Sequence, residues 1–164
     1  MGDSRDPLVF TLAVKPQLEF LMRLAVDVGE VASMGHGPLG ERRIVGIVGG
    51  TFEGPDLRGE VLAGGADWQI VRKDGVLDLD ARYALKEQRG GLVRVTSQGY
   101  RHGPAEVLAA LARGDEVDPG KYFFRTVMRF ETGAPGLEWL NKTIALASAE
   151  RKAQQVLLNA FRVL

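Results

Sequence analysis

The amino-acid sequence predicts an all-β domain, a closed sheet or a sandwich with one short helix, and three observations lead there. Its 21 glycines are spread along 164 residues instead of being gathered in one low-complexity block. Between them lie short runs of Val, Ile, Thr, Phe and Tyr, the residue types that suit a pleated, half-buried surface. Ten such runs can be read, at 9–14, 18–28, 42–48, 59–62, 68–71, 77–85, 92–97, 122–131, 142–147 and 156–163, and so many strands in one unit point to a closed or double-layered architecture. The length argues for a single domain, and 45% hydrophobic residues suffice for a sizeable core.

The connections support this order. Between 42–48 and 59–62, the stretch GIVGGTFEGPDLRG joins strand to turn through Gly49-Gly50, which permits close backbone approach, and through Gly54-Pro55. It lacks the G-x-x-x-x-G-K-[ST] of a phosphate loop, and no helical pattern follows it. Next, GGADWQIVRKDG has turn glycines at both ends, with Asp74-Gly75 suited to a tight hairpin. Trp68 within it reads first as a core aromatic, with contact to a substrate as the alternative. Pro104, the stripe Val107, Leu108 and Leu111, and the stop at Gly114 mark the short helix. The last segment, AERKAQQVLLNAFRVL, has helical spacing at Leu157, Ala160, Phe161 and Leu164. A hairpin of 142–147 with 156–163 is preferred, because closing a barrel needs a final strand.

Alternation sorts two strands into unlike faces. In 77–85, Leu77, Leu79, Ala81, Tyr83 and Leu85 oppose Asp78, Asp80, Arg82 and Ala84. In 122–131, Tyr122, Phe124, Thr126, Met128 and Phe130 oppose Phe123, Arg125, Val127, Arg129 and Glu131. One reading turns the charged faces to water as cross-strand ion pairs, each contributing under about 1 kcal/mol. The other turns them into a partly polar lumen, where an apolar wall raises one carboxylate pKa and an arginine holds another ionised. Alternation alone leaves the inward face open.

Charge and composition exclude several classes. Lys plus Arg and Asp plus Glu both number 21, so there is no positive field for nucleic acid or an anionic membrane surface. No apolar run approaches the roughly 20 residues of a membrane helix, and MGDSRDP has neither the pattern of a secretory leader nor the Ser or Thr at position 6 that suits myristoylation of Gly2. The absence of cysteine removes disulfides, thiolate nucleophiles and cysteine metal sites, and a cytoplasmic protein is the default expectation. His36, in the glycine-rich MGHGPLG read as a mobile loop, and His102 show no ligand spacing, which disfavours zinc, and no serine has a G-x-S-x-G setting.

The ordered motifs GGTFEGPDLRGEVLAGGADWQIVRKDGVLDLDARYAL, YFFRTVMRFETGAP and EWLN resemble those of domain of unknown function 3237, also called uncharacterised protein family 0311. The resemblance runs from Leu18 onward, so 1–16 reads as an extension and 17–164 as the barrel domain. It implies an antiparallel, calycin-like β-barrel with a central cavity, usually in an oligomer, and it brings no settled activity. The pattern matches at Thr51, Glu53, Gly54, Asp67, Trp68, Asp80, Arg82, Tyr83, Tyr122, Arg125, Phe130, Glu131, Thr132, Trp139, Leu140 and Asn141. Recurrent polar residues at strand positions favour the lumen reading for Glu53, Asp67, Asp80, Arg82, Arg125 and Asn141. The bland reading stays beside it: Asp67 and Asp80 as acceptors of backbone amides, Arg82 with Glu131 as a strut.

These residues lead to a barrel enzyme without metal or organic cofactor, an isomerase, lyase or cyclase working by acid/base chemistry on a small apolar organic molecule. Asp67 or Glu53 is the expected acid or base. Arg82 and Arg125 would stabilise developing negative charge, and Tyr122, Asn141, Asp80, Glu131 and Trp68 complete the expected substrate contacts. The alternative from another class is a carrier of hydrophobic ligands. A third is an assembly role in which the charged faces join copies of a homo-oligomer.

Overall fold

The structure, a computed structural model, describes residues 14–164. It contains nine strands, β1 (Leu18–Gly37), β2 (Gly40–Glu53), β3 (Arg58–Val61), β4 (Ala66–Val71), β5 (Leu77–Glu87), β6 (Leu92–His102), β7 (Phe123–Glu131), β8 (Ile144–Arg151) and β9 (Gln155–Val163), and one helix, α1 (Ala105–Ala112). The strand expected at 9–14 lies outside the described residues except for Val14, which is in no strand.

All pairings are antiparallel, and they close on themselves. From β1 the ring runs through β9, β8, β7, β6 and β5. There it divides between β3 and β4, both of which pair with β2, and β2 pairs back onto β1. Closure leaves few backbone donors and acceptors on open edges, which a sheet this long would otherwise present to other chains. The C-terminal segment forms the expected hairpin, with Leu24 of β1 opposite Leu158 of β9. A helix in its place would leave that side of β1 unpaired.

β1 is the main revision. It continues nine residues past the expected end at Val28 and carries a long hairpin with β2 in which His36 faces Glu41 and Gly37 faces Gly40. MGHGPLG is therefore a paired ribbon and its turn instead of a mobile loop, because a ladder, even with irregularities such as that between Ser33 and His36, satisfies backbone groups that a glycine-rich loop would leave to water. Gly50 does what the paired glycines promised: its φ is +138°, and a Cβ there would lie 2.1 Å from the carbonyl oxygen of Ala25 on the adjoining strand. The Asp74-Gly75 turn also forms, with Gly75 at φ +84° and the amide of Arg72 donating to the carbonyl of Val76 at 2.9 Å.

The inward face follows from desolvation. Leu77, Leu79, Tyr83 and Leu85 of β5 and Phe124, Thr126, Met128 and Phe130 of β7 are buried. Arg82, Arg125, Arg129 and Glu131 on the opposite faces are exposed. Burying unpaired charge costs several kcal/mol per ion, whereas turning these apolar faces to water would forfeit about 1.5–3 kcal/mol for each large side chain. At one end of the interior Leu85, Val93 and Leu140 are 0% exposed and form part of the packed core.

Candidate functional site

Toward the other end, the inward positions change character. On β4 they are Asp67 and Gln69; on β5, Tyr83; on β6, Arg101 follows Ser97 and Gly99. Arg43 of β2 precedes the buried pair Val45 and Ile47, and Arg151 follows Ala145, Ala147 and Ala149 of β8. Period-2 alternation sends each of these side chains inward. Ring closure then gathers them in the same part of the interior.

Asp67 is the centre of the polar group. One of its carboxylate oxygens, Oδ2, accepts from Gln69 Nε2 at 2.9 Å, and Gln69 Oε1 accepts from Arg43 Nη2 at 2.8 Å. Arg43 thus fixes the orientation of the Gln69 amide, so that its NH2 points at Asp67. The other oxygen, Oδ1, accepts from the amide of Asp80 at 3.0 Å. The β4–β5 ladder pairs Asp67 with Ala81 and Ile70 with Asp78, with no pairing between, and the carboxylate satisfies the amide left in that gap.

Burial pushes the Asp67 pKa up from its usual value, against the lowering effect of the Gln69 and Asp80 hydrogen bonds and of the Arg101 charge. Beside it, the Tyr83 hydroxyl is buried and has no partner among the described residues. Burial raises its pKa strongly, and the Asp67 charge adds to the effect. Arg101 lies with its guanidinium carbon 5.3 Å from the Phe124 ring centroid. Its pKa falls to about 10, chiefly through burial and then through the like charges of Arg151 and Arg43.

Asp67, Gln69, Tyr83, Arg101 and Arg151 line a cavity of about 60 Å3 whose remaining wall is mainly apolar, with Val26, Ile47 and Leu158 among its residues, and is interrupted by the hydrogen-bonded pair Ser97 and Thr126. Arg101, Arg151 and Val28 also line a vestibule of about 720 Å3, over which Leu108 and Leu111 of α1 are placed. Solvent therefore reaches the cavity past the arginines. Among the described residues, no three His, Asp or Glu side chains converge to hold a metal ion.

Of the residues expected from the sequence, only Asp67 stands in this cavity. Tyr122 is buried close by and accepts a hydrogen bond at its hydroxyl from the Arg151 amide at 2.9 Å, positioning the end of β8. Trp68, Asp80 and Arg125 share a different place, an outer groove of about 1110 Å3. Trp68 is 42% exposed there, so the core reading of that residue is corrected: it alternates outward because Asp67 and Gln69 on either side point in. The groove is the larger concavity, and two of its charged groups already have partners within the protein. Asp80 accepts from Arg82 at 3.3 Å and from Gln98 at 3.1 Å, and Arg125 donates to the Phe124 carbonyl at 3.0 Å.

The lumen placement expected for Glu53, Asp80, Arg82, Arg125 and Asn141 is likewise corrected. Each lies on the outside of the ring, where its charge or amide stays hydrated. Glu53 is exposed opposite Arg23 and Arg58, and Glu131 is exposed opposite Arg94, away from Arg82. Asn141 clamps the Thr132 backbone, accepting from its amide at 2.8 Å and donating to its carbonyl at 2.9 Å. Gln69, Arg43, Arg101 and Arg151 were missed, and Tyr83 was noted as an apolar-face residue and a match to the family pattern but given no part in the site. The pattern to look for was a polar residue continuing an apolar inward stripe at a strand's end.

A family model described as "Protein of unknown function (DUF3237)" matches residues 16–163. A UPF0311 protein of Rhodopseudomonas palustris is 40% identical over 151 residues, covering 91% of this chain and 99% of that protein. Its crystal structure superposes with a TM-score of 0.87 over 93% of this chain and 100% of the other. A crystal structure from Acinetobacter baumannii described as a beta-barrel like protein is 43% identical, with a TM-score of 0.82 over 94% of this chain and 100% of that one. More distant is a Penicillium herquei protein whose structure is described as that of an enzyme, 19% identical, with a TM-score of 0.72 over 95% of this chain and 100% of the other; it shares the fold. With the family model spanning residues 16–163 and a relative at 40% identity over nearly the same stretch, the chain belongs to the DUF3237 family.

Proposed function

We propose that the interior of the ring takes up a small, mainly apolar organic molecule and that Asp67 exchanges a proton with it, an acid/base chemistry of the isomerase, lyase or cyclase kind. The observation behind this reading is a carboxyl group in an apolar cavity, its pKa raised by burial, next to a hydroxyl that has no partner. A raised pKa brings a carboxyl group nearer to the neutral range, where it serves as both acceptor and donor. Tyr83 would donate to an oxygen of the bound molecule. Arg101 would stabilise negative charge developing there, in a water-poor setting where such stabilisation is strongest. These residues take over the parts first expected of Arg82 and Arg125. The Penicillium herquei enzyme supports the reading only to the extent that this fold accommodates catalysis.

The test is hydrogen–deuterium exchange at acidic C–H positions of enolisable apolar compounds, followed by NMR in heavy water. The wild type should accelerate exchange, and Asp67→Asn should lose about 10²–10⁴-fold of that acceleration. Unchanged exchange in Asp67→Asn would refute the role of Asp67. Compounds that bind in the cavity but never exchange or react favour the second reading, a carrier, for which the predominantly apolar wall speaks.

A further inference from the structure

We propose that the molecule entering this site is an organic anion, an acidic oxygen head group on an apolar body, with its head group held by Arg43, Arg101 and Arg151 where the vestibule meets the cavity. This rests on the lumen being the binding site and adds the chemical class of the ligand.

The argument is one of unbalanced charge. Three guanidinium groups act on one another at the inner end of the vestibule, and Asp67 is the carboxylate that acts on both Arg101 and Arg151. Its two oxygens are already occupied by Gln69 and the Asp80 amide. Arginine does not discharge to escape burial. Arg101, even with its pKa pushed down to about 10, keeps its proton at neutral pH.

Nor do other protein groups complete the three. Among the described residues, none of them takes part in an ion pair. Arg43 gives one Nη to Gln69 while its Nε is buried without a partner. Arg151 reaches only the Ala153 carbonyl, at 3.4 Å, and Arg101 has the face of Phe124. Of the other charged groups lining the vestibule, Glu30 is exposed and Arg113 is paired with Asp115 at 3.0 Å. Half-buried cations gathered in this way repel one another, an anion set between them relieves that repulsion, and a planar guanidinium fork matches a carboxylate or a related oxyacid.

The apolar part of the ligand follows from the dimensions. A cavity of about 60 Å3 holds only a few atoms, while the 720 Å3 vestibule holds a ring system beneath Leu108 and Leu111. The body would lie in the vestibule. Atoms adjoining the acidic head would then reach Asp67 and Tyr83.

The experiment compares two fluorescent probes with nearly the same body, anilinonaphthalene sulfonate and neutral phenylnaphthylamine. Titration into the wild type should show the sulfonate binding about tenfold more tightly or better. Arg101→Gln and Arg151→Gln, each checked by thermal melting, should remove that preference, while Arg125→Gln on the outer groove should leave it intact. Naphthoate should displace the sulfonate at concentrations where inorganic sulfate does not.

Equal affinity for the two probes overturns the anion class, and if the neutral probe is still displaced by compounds that Asp67 exchanges, the lumen remains the site. A loss confined to Arg125→Gln would move the sulfonate to the outer groove and overturn the assignment. Displacement by sulfate and naphthoate alike would reduce the site to one for the head group alone. If neither probe enters, the anion class and the lumen reading fall together.

Discussion

The two ends of the ring's interior are built by the same strands and have opposite chemistry. At the closed end Leu85, Val93 and Leu140 are fully buried and interlock. Two residues along β5 from Leu85, Tyr83 holds a hydroxyl with no partner, and across from it Asp67 is oriented by Gln69 and Arg43. The closed end stabilises the fold by removing apolar surface from water. The open end gives up some of that stability to keep polar groups buried and incompletely satisfied. On the proposed function, the unsatisfied group beside a well-packed core is where the ligand binds, and stability and function then occupy adjacent inward positions of one strand.

Four substitutions probe that division. Leu85→Ala at the closed end should cost about 2–5 kcal/mol in chemical denaturation, through lost burial and a new cavity, with binding in the remaining folded protein preserved. Loss of binding without loss of stability would blur the division. Asp67→Asn should do the reverse, removing proton exchange while the protein stays folded.

Asp67→Asn also changes the pH dependence, and the sign follows from linkage. A carboxyl whose native pKa is raised binds its proton more tightly in the folded state. Its contribution is most favourable below the unfolded value near 3.8 and declines as pH rises through the native pKa. Denaturation across that range should show the variant gaining on the wild type as pH increases, then levelling off. A variant that instead loses ground to the wild type as pH rises would mean that Asp67 is held ionised.

Smaller in effect, Tyr83→Phe should shift stability by no more than about 1 kcal/mol, in either direction, since a hydroxyl without a partner contributes no hydrogen bond and its burial is a cost. Ligand affinity or exchange rate should nevertheless fall. On the outer face, Arg82→Ala should change stability by under about 1 kcal/mol, because its pairing with Asp80 at 3.3 Å is exposed and screened. A larger loss, with altered ligand binding, would return Arg82 to the site.

Much of the architecture could be read along the chain, and the reasons are local. Glycine turns, β-rich runs and the Pro104-to-Gly114 helix are dictated by neighbouring residues, and Asp67 was recognisable as a polar residue recurring in a strand. The final hairpin was recognisable only through the need to close the ring, since the spacing of Leu157, Ala160, Phe161 and Leu164 also fits a helix. The composition of the site was less legible. Asp80, Arg82 and Arg125 have the same residue types and the same alternation as inward-facing polar groups would have, and they point outward.

By itself the sequence determined most of the strands along the chain and the division of β5 and β7 into one apolar and one charged face, because period-2 alternation is a property of each strand alone. Tertiary structure decided which face lies inside, and it brought Arg43, Asp67, Gln69, Tyr83, Arg101 and Arg151 together from five strands. The inward face is settled by the desolvation cost of charge summed over the whole ring. Their meeting depends on the registers of successive pairings and on β1 closing onto β2, relations between distant residues that no single segment encodes.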